Sequence, residues 1–300
     1  MATDEAGRTG SATPPSPEPV SPEPVSPEPA SPETVRIERD GPVARVVMCR
    51  SNVHNAFDEA MIGALTAALR DVGGREDVRA VVLAAEGKSF SAGADLNYMR
   101  AMADYGYDEN LADAHTLAGL MQTLNNLPKP TVARVQGAAM GGGVGLVACC
   151  DIAVASATAR FALSEVKLGL IPAVISPYVV QAIGPRQARR YFLTGERFDA
   201  AEARRIGLVH EVVDQGESLD RVVAGYTDAL VANGPTALAA AKGLVAAVVG
   251  QDPSTVIDLT ARRIADLRAG DEGREGVTAF LEKRPPAWRR TGDDAPPEQE

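Results

Sequence analysis

Val35-Arg36-Ile37-Glu38-Arg39 alternates apolar and polar side chains with a period of two, which predicts a strand with one buried face. Asp40-Gly41-Pro42 turns the chain, and Val43 to Met48 returns as a second strand. Beyond the loop Cys49 to Phe57 the period lengthens. Met61, Ile62, Leu65, Ala68, Leu69 and Val72 share one face of a helix predicted from about Asp58 to Val72, with Asp58 and Glu59 favouring its start. Ala80 to Ala85 is apolar without interruption, the pattern of a strand covered on both faces. After a loop around Ala94 and a polar, tyrosine-containing stretch, Leu111, Ala114, Ala118, Met121 and Leu124 mark a helix from about Asp108 to Leu127, stopped by Pro128-Lys129-Pro130. Thr131 to Val135, Ile152 to Ser156 and Arg160 to Leu163 read as further strands. This β-β-α rhythm predicts an α/β protein with a mixed or parallel sheet covered by helices.

From Pro177 onward the chain reads as mostly helical. Short helices are predicted over Ser176 to Ile183 and Gln187 to Leu193, and a capped one runs from Asp199 to Gly207, before the strand Leu208 to Val213. Leu219 to Lys283 reads as three or four alanine-rich amphipathic helices, which pack outside the core or against another subunit. The repeats Ser16-Pro17-Glu18-Pro19-Val20, Ser21 to Val25 and Ser26 to Ala30 can form neither helix nor central strand, because proline removes donors throughout. They suit either a passive spacer or a docking segment for a partner the sequence does not identify. The expected organisation is a tail over 1–34, a core over 35–218, a helical region over 219–290 and an acidic tail over 291–300.

Composition removes several function classes. Three hundred residues, 45% of them hydrophobic, suffice for one substantial core. A formal net charge of −10 argues against nucleic acid as a partner, since phosphate binding needs a basic face. Cys49, Cys149 and Cys150 have no zinc spacing and read as buried, reduced thiols, so no metal site is expected. No apolar run reaches membrane-spanning length and no secretory leader opens the sequence, so a cytoplasmic protein without membrane partners is expected.

The candidate chemistry lies in Val135 to Leu146, where an apolar strand meets the glycines Gly141, Gly142 and Gly143 before a small-residue helix. One reading is a tight joint in which glycine only permits close packing. The other is a helix N-terminus whose free N–H groups hold a developing negative charge. An oxyanion site also needs a second donor and a proton-transfer group. Ser89 to Leu96 follows another apolar strand, and Leu163 to Pro172 sets Glu165 among Leu163, Val166 and Leu168.

Taken together, Ser91 to Leu96, Gln136 to Gly145, Cys150 to Ala153, Phe161 to Pro172, Ala203 to Val209 and Phe280 to Arg284 resemble the enoyl-CoA hydratase/isomerase (crotonase) superfamily, collinearly from about Val35 to Arg290. Asn52 to Phe57, Cys149 to Asp151 and Pro172 to Pro177 are most similar to bacterial methylglutaconyl-CoA hydratases. The resemblance implies a crotonase-like β-β-α spiral core with a C-terminal helical region that trimerises, commonly into a dimer of trimers. It implies an acyl-CoA thioester as ligand and no separate cofactor, coenzyme A being part of the substrate. Paired oxyanion donors map onto the amides of Ala94 and Gly142. Ala92 falls where the family's main chain meets the adenine, and Asn52, Val53 and His54 frame the coenzyme A entrance, beside Asp95 and Leu96. Lysine often stands at position 52, so Arg50, or Lys283 with Phe280 from a neighbouring subunit, is expected to attract the phosphates. His54 also suits loop packing alone, and Asp95 suits a structural role.

Family hydratases use two glutamates. The proton-delivering one maps onto Glu165, whereas the water-activating one maps onto Gly145. Three outcomes stay open: hydration by Glu165 alone, proton shuttling between Cα and Cγ by an isomerase, or room at Gly145 for a larger acyl group. A surrounding of apolar side chains should raise the Glu165 pKa. A weakly catalytic acyl-CoA-binding protein is the alternative from another class.

Overall fold

The computed structural model describes residues 33–214 and 218–289. The antiparallel pair β1 (Val35–Asp40) and β2 (Val43–Met48) opens a six-stranded sheet. That sheet continues through β3 (Ala80–Ala85), β5 (Thr131–Val135), β7 (Ile152–Ser156) and β10 (Glu211–Val213), each parallel to its neighbour. A second sheet takes β4 (Ser89–Ser91), β6 (Ala138–Met140), β8 (Arg160–Ala162) and β9 (Arg197–Asp199). Successive β-β-α turns thus place one strand in each sheet, and the chain spirals. This is the crotonase-like α/β architecture expected from the motifs.

Side-chain alternation explains why β3 is apolar throughout. Val81, Leu83 and Ala85 enter the main core, with α1 (Glu59–Gly74) and α3 (Tyr107–Asn125), while Val82 and Ala84 face the opposite side. There α7 (Leu219–Val231) covers the sheet with Leu219, Val222, Val223, Tyr226 and Leu230. Asp58 caps α1 by accepting from the Met61 amide at 2.8 Å. The helices expected over 176–183 and 187–193 are the two halves of α5 (Ser176–Thr194), broken where Gly184 takes φ +73° ahead of Pro185.

Three short strands depart from expectation. β4 and β6 were expected as loop and turn, and β9 lies just ahead of the predicted capped helix, α6 (Ala200–Arg205). Three residues carry too little periodicity to signal a strand. β6 matters most, because the strand ending at Val135 does not feed the glycine helix directly. The chain crosses to the second sheet first, and α4 (Gly142–Cys149) starts from there. The polar stretch after Ala94 also contains a further helix, α2 (Leu96–Met102).

Four C-terminal helices are present: α7, α8 (Pro235–Val248), α9 (Ile257–Ala269) and α10 (Asp271–Leu281). Asp151 ties α8 to the core, accepting from the Thr131 amide at 2.8 Å and its hydroxyl at 2.9 Å while pairing with Lys242 Nζ at 2.9 Å. Among the described residues no single helix is long and apolar enough to cross a membrane, and no cluster of three or more His, Cys, Asp or Glu could hold a metal ion. Cys149 and Cys150 are buried, and desolvation pushes the Cys150 thiol up to about 12. The proline-rich repeats and the acidic tail expected over 291–300 lie outside the described residues, while the Thr34 carbonyl accepts from the Cys49 amide at 2.9 Å.

Candidate active site

The glycine turn has a backbone only glycine adopts without strain: Gly141 sits at φ +50°, ψ −115°. Its amide donates to the Ala162 carbonyl at 2.9 Å, anchoring the turn to β8. Its carbonyl accepts from Val144 at 2.9 Å and Gly145 at 3.2 Å, which starts α4. The amides of Gly142 and Gly143 fall in that first turn, where no intrahelical acceptor exists.

Ala94 is placed by Phe57. The Phe57 amide donates to the Gly93 carbonyl at 2.7 Å, and its carbonyl accepts from the Asp95 amide at 2.8 Å. This is a parallel bridge between Phe57 and Ala94. Because neighbouring residues of an extended chain point their amides to opposite sides, the Ala94 N–H faces away from Phe57. The same Phe57 packs its ring on Gly142, where an added Cβ would lie 2.5 Å from Cε2. Gly93 (φ +87°) brings the Ala94 loop close to the turn, since a Cβ there would lie 3.1 Å from the Met140 carbonyl oxygen. One residue therefore braces both candidate donors. Phe57→Ala is expected to cost about 3–5 kcal/mol of stability, seen as a lower urea midpoint at unchanged m. Its kcat should fall more than its KM rises.

Glu165 opens a single-turn helix, Glu165–Leu168. Its Oε1 would lie 3.0 Å from a Cβ at Gly141, so the carboxylate lies over the start of α4. Its Oε2 is buried and has no hydrogen-bond partner in the protein. Desolvation raises the carboxyl pKa, as expected, against a smaller lowering by a main-chain hydrogen bond. Asp95 is by contrast fully engaged. It is the only acidic residue in the buried class among the described residues, caps α2 at the Asn97 amide (2.8 Å), and pairs with Arg50 at 3.3 Å.

Arg50 is tied into the loop. Its guanidinium pairs with Asp58 at 2.6 Å as well as Asp95 and donates to the Ala56 carbonyl at 3.2 Å. Paired with two carboxylates, it braces the Ala94 loop. His54 takes φ +56° and sets Nδ1 3.2 Å from Ser89 Oγ, while its carbonyl accepts from the Ala92 amide at 3.0 Å. The loop of Asn52, Val53 and His54 therefore adjoins Ala92, with Asn52, His54 and Ala92 exposed. Leu96 is also exposed. α10 packs chiefly on α9, and Phe280 there is 82% exposed, with Lys283 in a left-handed turn just after it.

Gly145 is not an opening. A Cβ there would lie 2.2 Å from Ile175 Cγ2 and 3.3 Å from Met121 Cε. Of the three open outcomes, room for a larger acyl group at this position is therefore filled. A cavity of about 840 Å³, lined by residues such as Arg45, Arg79, Asp220 and Trp288, shares no residue with this site.

Sequence reasoning missed four supports. Phe57 and Ile175 lie in motifs that carry the resemblance, but nothing in the sequence pointed to the glycines they pack on. Asn55, fully buried at φ +53°, holds the Glu86 and Ser89 carbonyls through Nδ2 at 2.9 and 3.0 Å, and Ser91 Oγ donates to the Asn55 carbonyl at 2.9 Å. Asparagine's tolerance of the left-handed region was a legible hint at position 55.

A spiral of β-β-α turns that sets one desolvated carboxylate against a glycine-opened helix N-terminus describes an α/β enzyme of the crotonase type. The family model described as enoyl-CoA hydratase/isomerase matches residues 38–291. An enoyl-CoA hydratase from Shewanella pealeana has a solved structure 48% identical to this chain, with a TM-score of 0.83 over 85% of this chain and 96% of that one. Pseudomonas aeruginosa AtuE is 37% identical, with a TM-score of 0.82 over 86% and 100%. An enoyl-CoA hydratase/isomerase from Marinobacter aquaeolei is 34% identical, with a TM-score of 0.80 over 85% and 99%. The chain belongs to the enoyl-CoA hydratase/isomerase family.

Proposed function

We propose that the protein hydrates a 2-enoyl-CoA, with Glu165 as its acid–base group and the amides of Ala94 and Gly142 as donors to the thioester oxygen. The observation that carries this reading is the buried, unpartnered Oε2 of Glu165 beside the N-terminus of α4. The carboxylate takes a proton from water as the water oxygen bonds to Cβ. The electron pair of the double bond moves toward Cα and the thioester oxygen, where two amides offset the charge. Protonated Glu165 then returns a proton to Cα, so one water is added and the carboxylate is restored. Coenzyme A would lie along Ala92 and the Asn52–His54 loop, with Asp95 and Leu96 shaping the turn below it and Lys283 with Phe280 supplied by another copy.

Several apolar side chains on the C-terminal helices are exposed in the single chain, including Val245, Ile257, Ile264, Val277 and Leu281. They support a trimer or a dimer of trimers. The branched 3-methylglutaconyl-CoA is the preferred substrate in this reading, by the likeness of Asn52 to Phe57 and Pro172 to Pro177. Purified protein should hydrate 3-methylglutaconyl-CoA, and crotonyl-CoA more slowly. Hydration of neither removes the proposal. A second reading, Δ3,Δ2-enoyl-CoA isomerisation, is favoured by the filled space at Gly145, which leaves one carboxylate. Incubating a 3-enoyl-CoA in deuterated water decides it, because no conjugated product counts against an isomerase.

A further inference from the structure

The surroundings of Gly145 say more than that a side chain is missing. An added Cβ would overlap not only Ile175 Cγ2 but also Ile175 Cβ, at 2.9 Å. That second atom is fixed by the backbone. Ile175 is 3% exposed and Met121 fully buried, and the Met121 sulfur lies 3.9 Å from Sγ of Cys149, one turn beyond Gly145 on the same helix. A β-branched side chain so enclosed has few rotamers to escape into. The helix glycines Gly63 and Gly119, by contrast, have nothing within 4 Å of an added Cβ.

We propose that Ile175, backed by Met121, is the specificity-determining residue that confines this enzyme to single-carboxylate chemistry. It occupies the volume that a carboxylate at position 145 would need. This deepens the reading given above and rests on Glu165 being the acid–base group. Glu165 and Ile175 both lie on the segment 163–175 that joins β8 to α5, Glu165 opening its single-turn helix and Ile175 standing just ahead of α5. One segment thus supplies one proton carrier and excludes the other. An isoleucine and a methionine also offer water no hydrogen-bond partner, so that wall cannot hold the nucleophile.

The test uses the full chain with Gly145→Ala, Gly145→Glu, Ile175→Ala and the double variant Gly145→Glu/Ile175→Ala. Gly145→Ala should lower Tm by about 3–10 °C through overpacking, and Gly145→Glu by at least as much. Ile175→Ala should offset part of that loss, so the double variant melts above Gly145→Glu alone, a non-additive result. An unchanged Tm in Gly145→Ala, or no recovery in the double variant, removes Ile175 as the block. Glu165→Gln is then introduced into both the wild-type and the double-variant background. Hydration of crotonyl-CoA should be higher in the opened background by about tenfold or more, since a second acid–base group has become available. Recovered Tm without that gain leaves Ile175 a packing residue and overturns its role in specificity. The thermal measurements need no substrate. A wild type that hydrates nothing would therefore sink the functional reading without touching the steric one.

Discussion

Glu165→Gln should lower kcat for hydration by about 10⁴-fold, the upper end for a general acid–base group, because in the proposed reaction this one side chain carries both proton transfers. KM should change little, since the amide keeps the shape and only the titratable site is lost. The pH profile provides a second check. Hydration starts from the carboxylate, so kcat/KM should rise with pH through the Glu165 pKa, which desolvation holds above the ordinary value. The acid limb should therefore lie above about 4.3, the unperturbed glutamate value, and vanish in the variant.

Stability gives a third check with a defined sign. A carboxyl whose pKa rises on folding binds its proton more tightly in the folded state. The stability it contributes is full below the unfolded pKa and is lost as pH rises through the folded one. At neutral pH the wild type thus bears the cost of a desolvated carboxylate with an unpartnered oxygen. Glu165→Gln should melt no lower than wild type at pH 7, and its advantage should shrink by pH 4. A variant that loses both activity and Tm at pH 7 would instead mark Glu165 as structural.

Much of this site was legible because its parts are backbone-encoded. Gly141 needs φ +50° and Gly93 φ +87°, conformations that leave a visible glycine in the sequence. Long elements were equally plain: β3 and β5 lie where unbroken or β-branched apolar runs put them, and Asp58 caps α1 as a residue of its type should. What escaped notice was tertiary. The path through β6 depends on a three-residue strand pairing with β4 and β8, far apart in sequence. The ion pairs of Arg50 were not legible, because its partners, Asp58 and Asp95, are brought to it only by the fold. Room at Gly145 stayed open as one of three outcomes for the same reason: its neighbours, Met121 and Ile175, come from other elements.

The same tertiary detail decides how the main-chain donors should be tested. Proline at position 142 would remove the N–H and is sterically acceptable at a helix's first residue. It would also add a Cβ 2.5 Å from the Phe57 ring, displacing the residue that holds the Ala94 loop. Loss of activity in Gly142→Pro would then mix two effects. Ala94→Pro is cleaner, because Ala94 already carries a Cβ, is exposed, and directs its N–H away from the bridge that Phe57 makes to Gly93 and Asp95. Removing one such donor should cost about 2.7–4 kcal/mol of barrier, a fall in kcat of about 10²–10³. The Phe57 bonds survive, so the urea midpoint should move far less than in Phe57→Ala. If Ala94→Pro hydrates its substrate at the wild-type rate, the Ala94 amide holds no developing charge, and the thioester oxygen must be stabilised from the start of α4 alone.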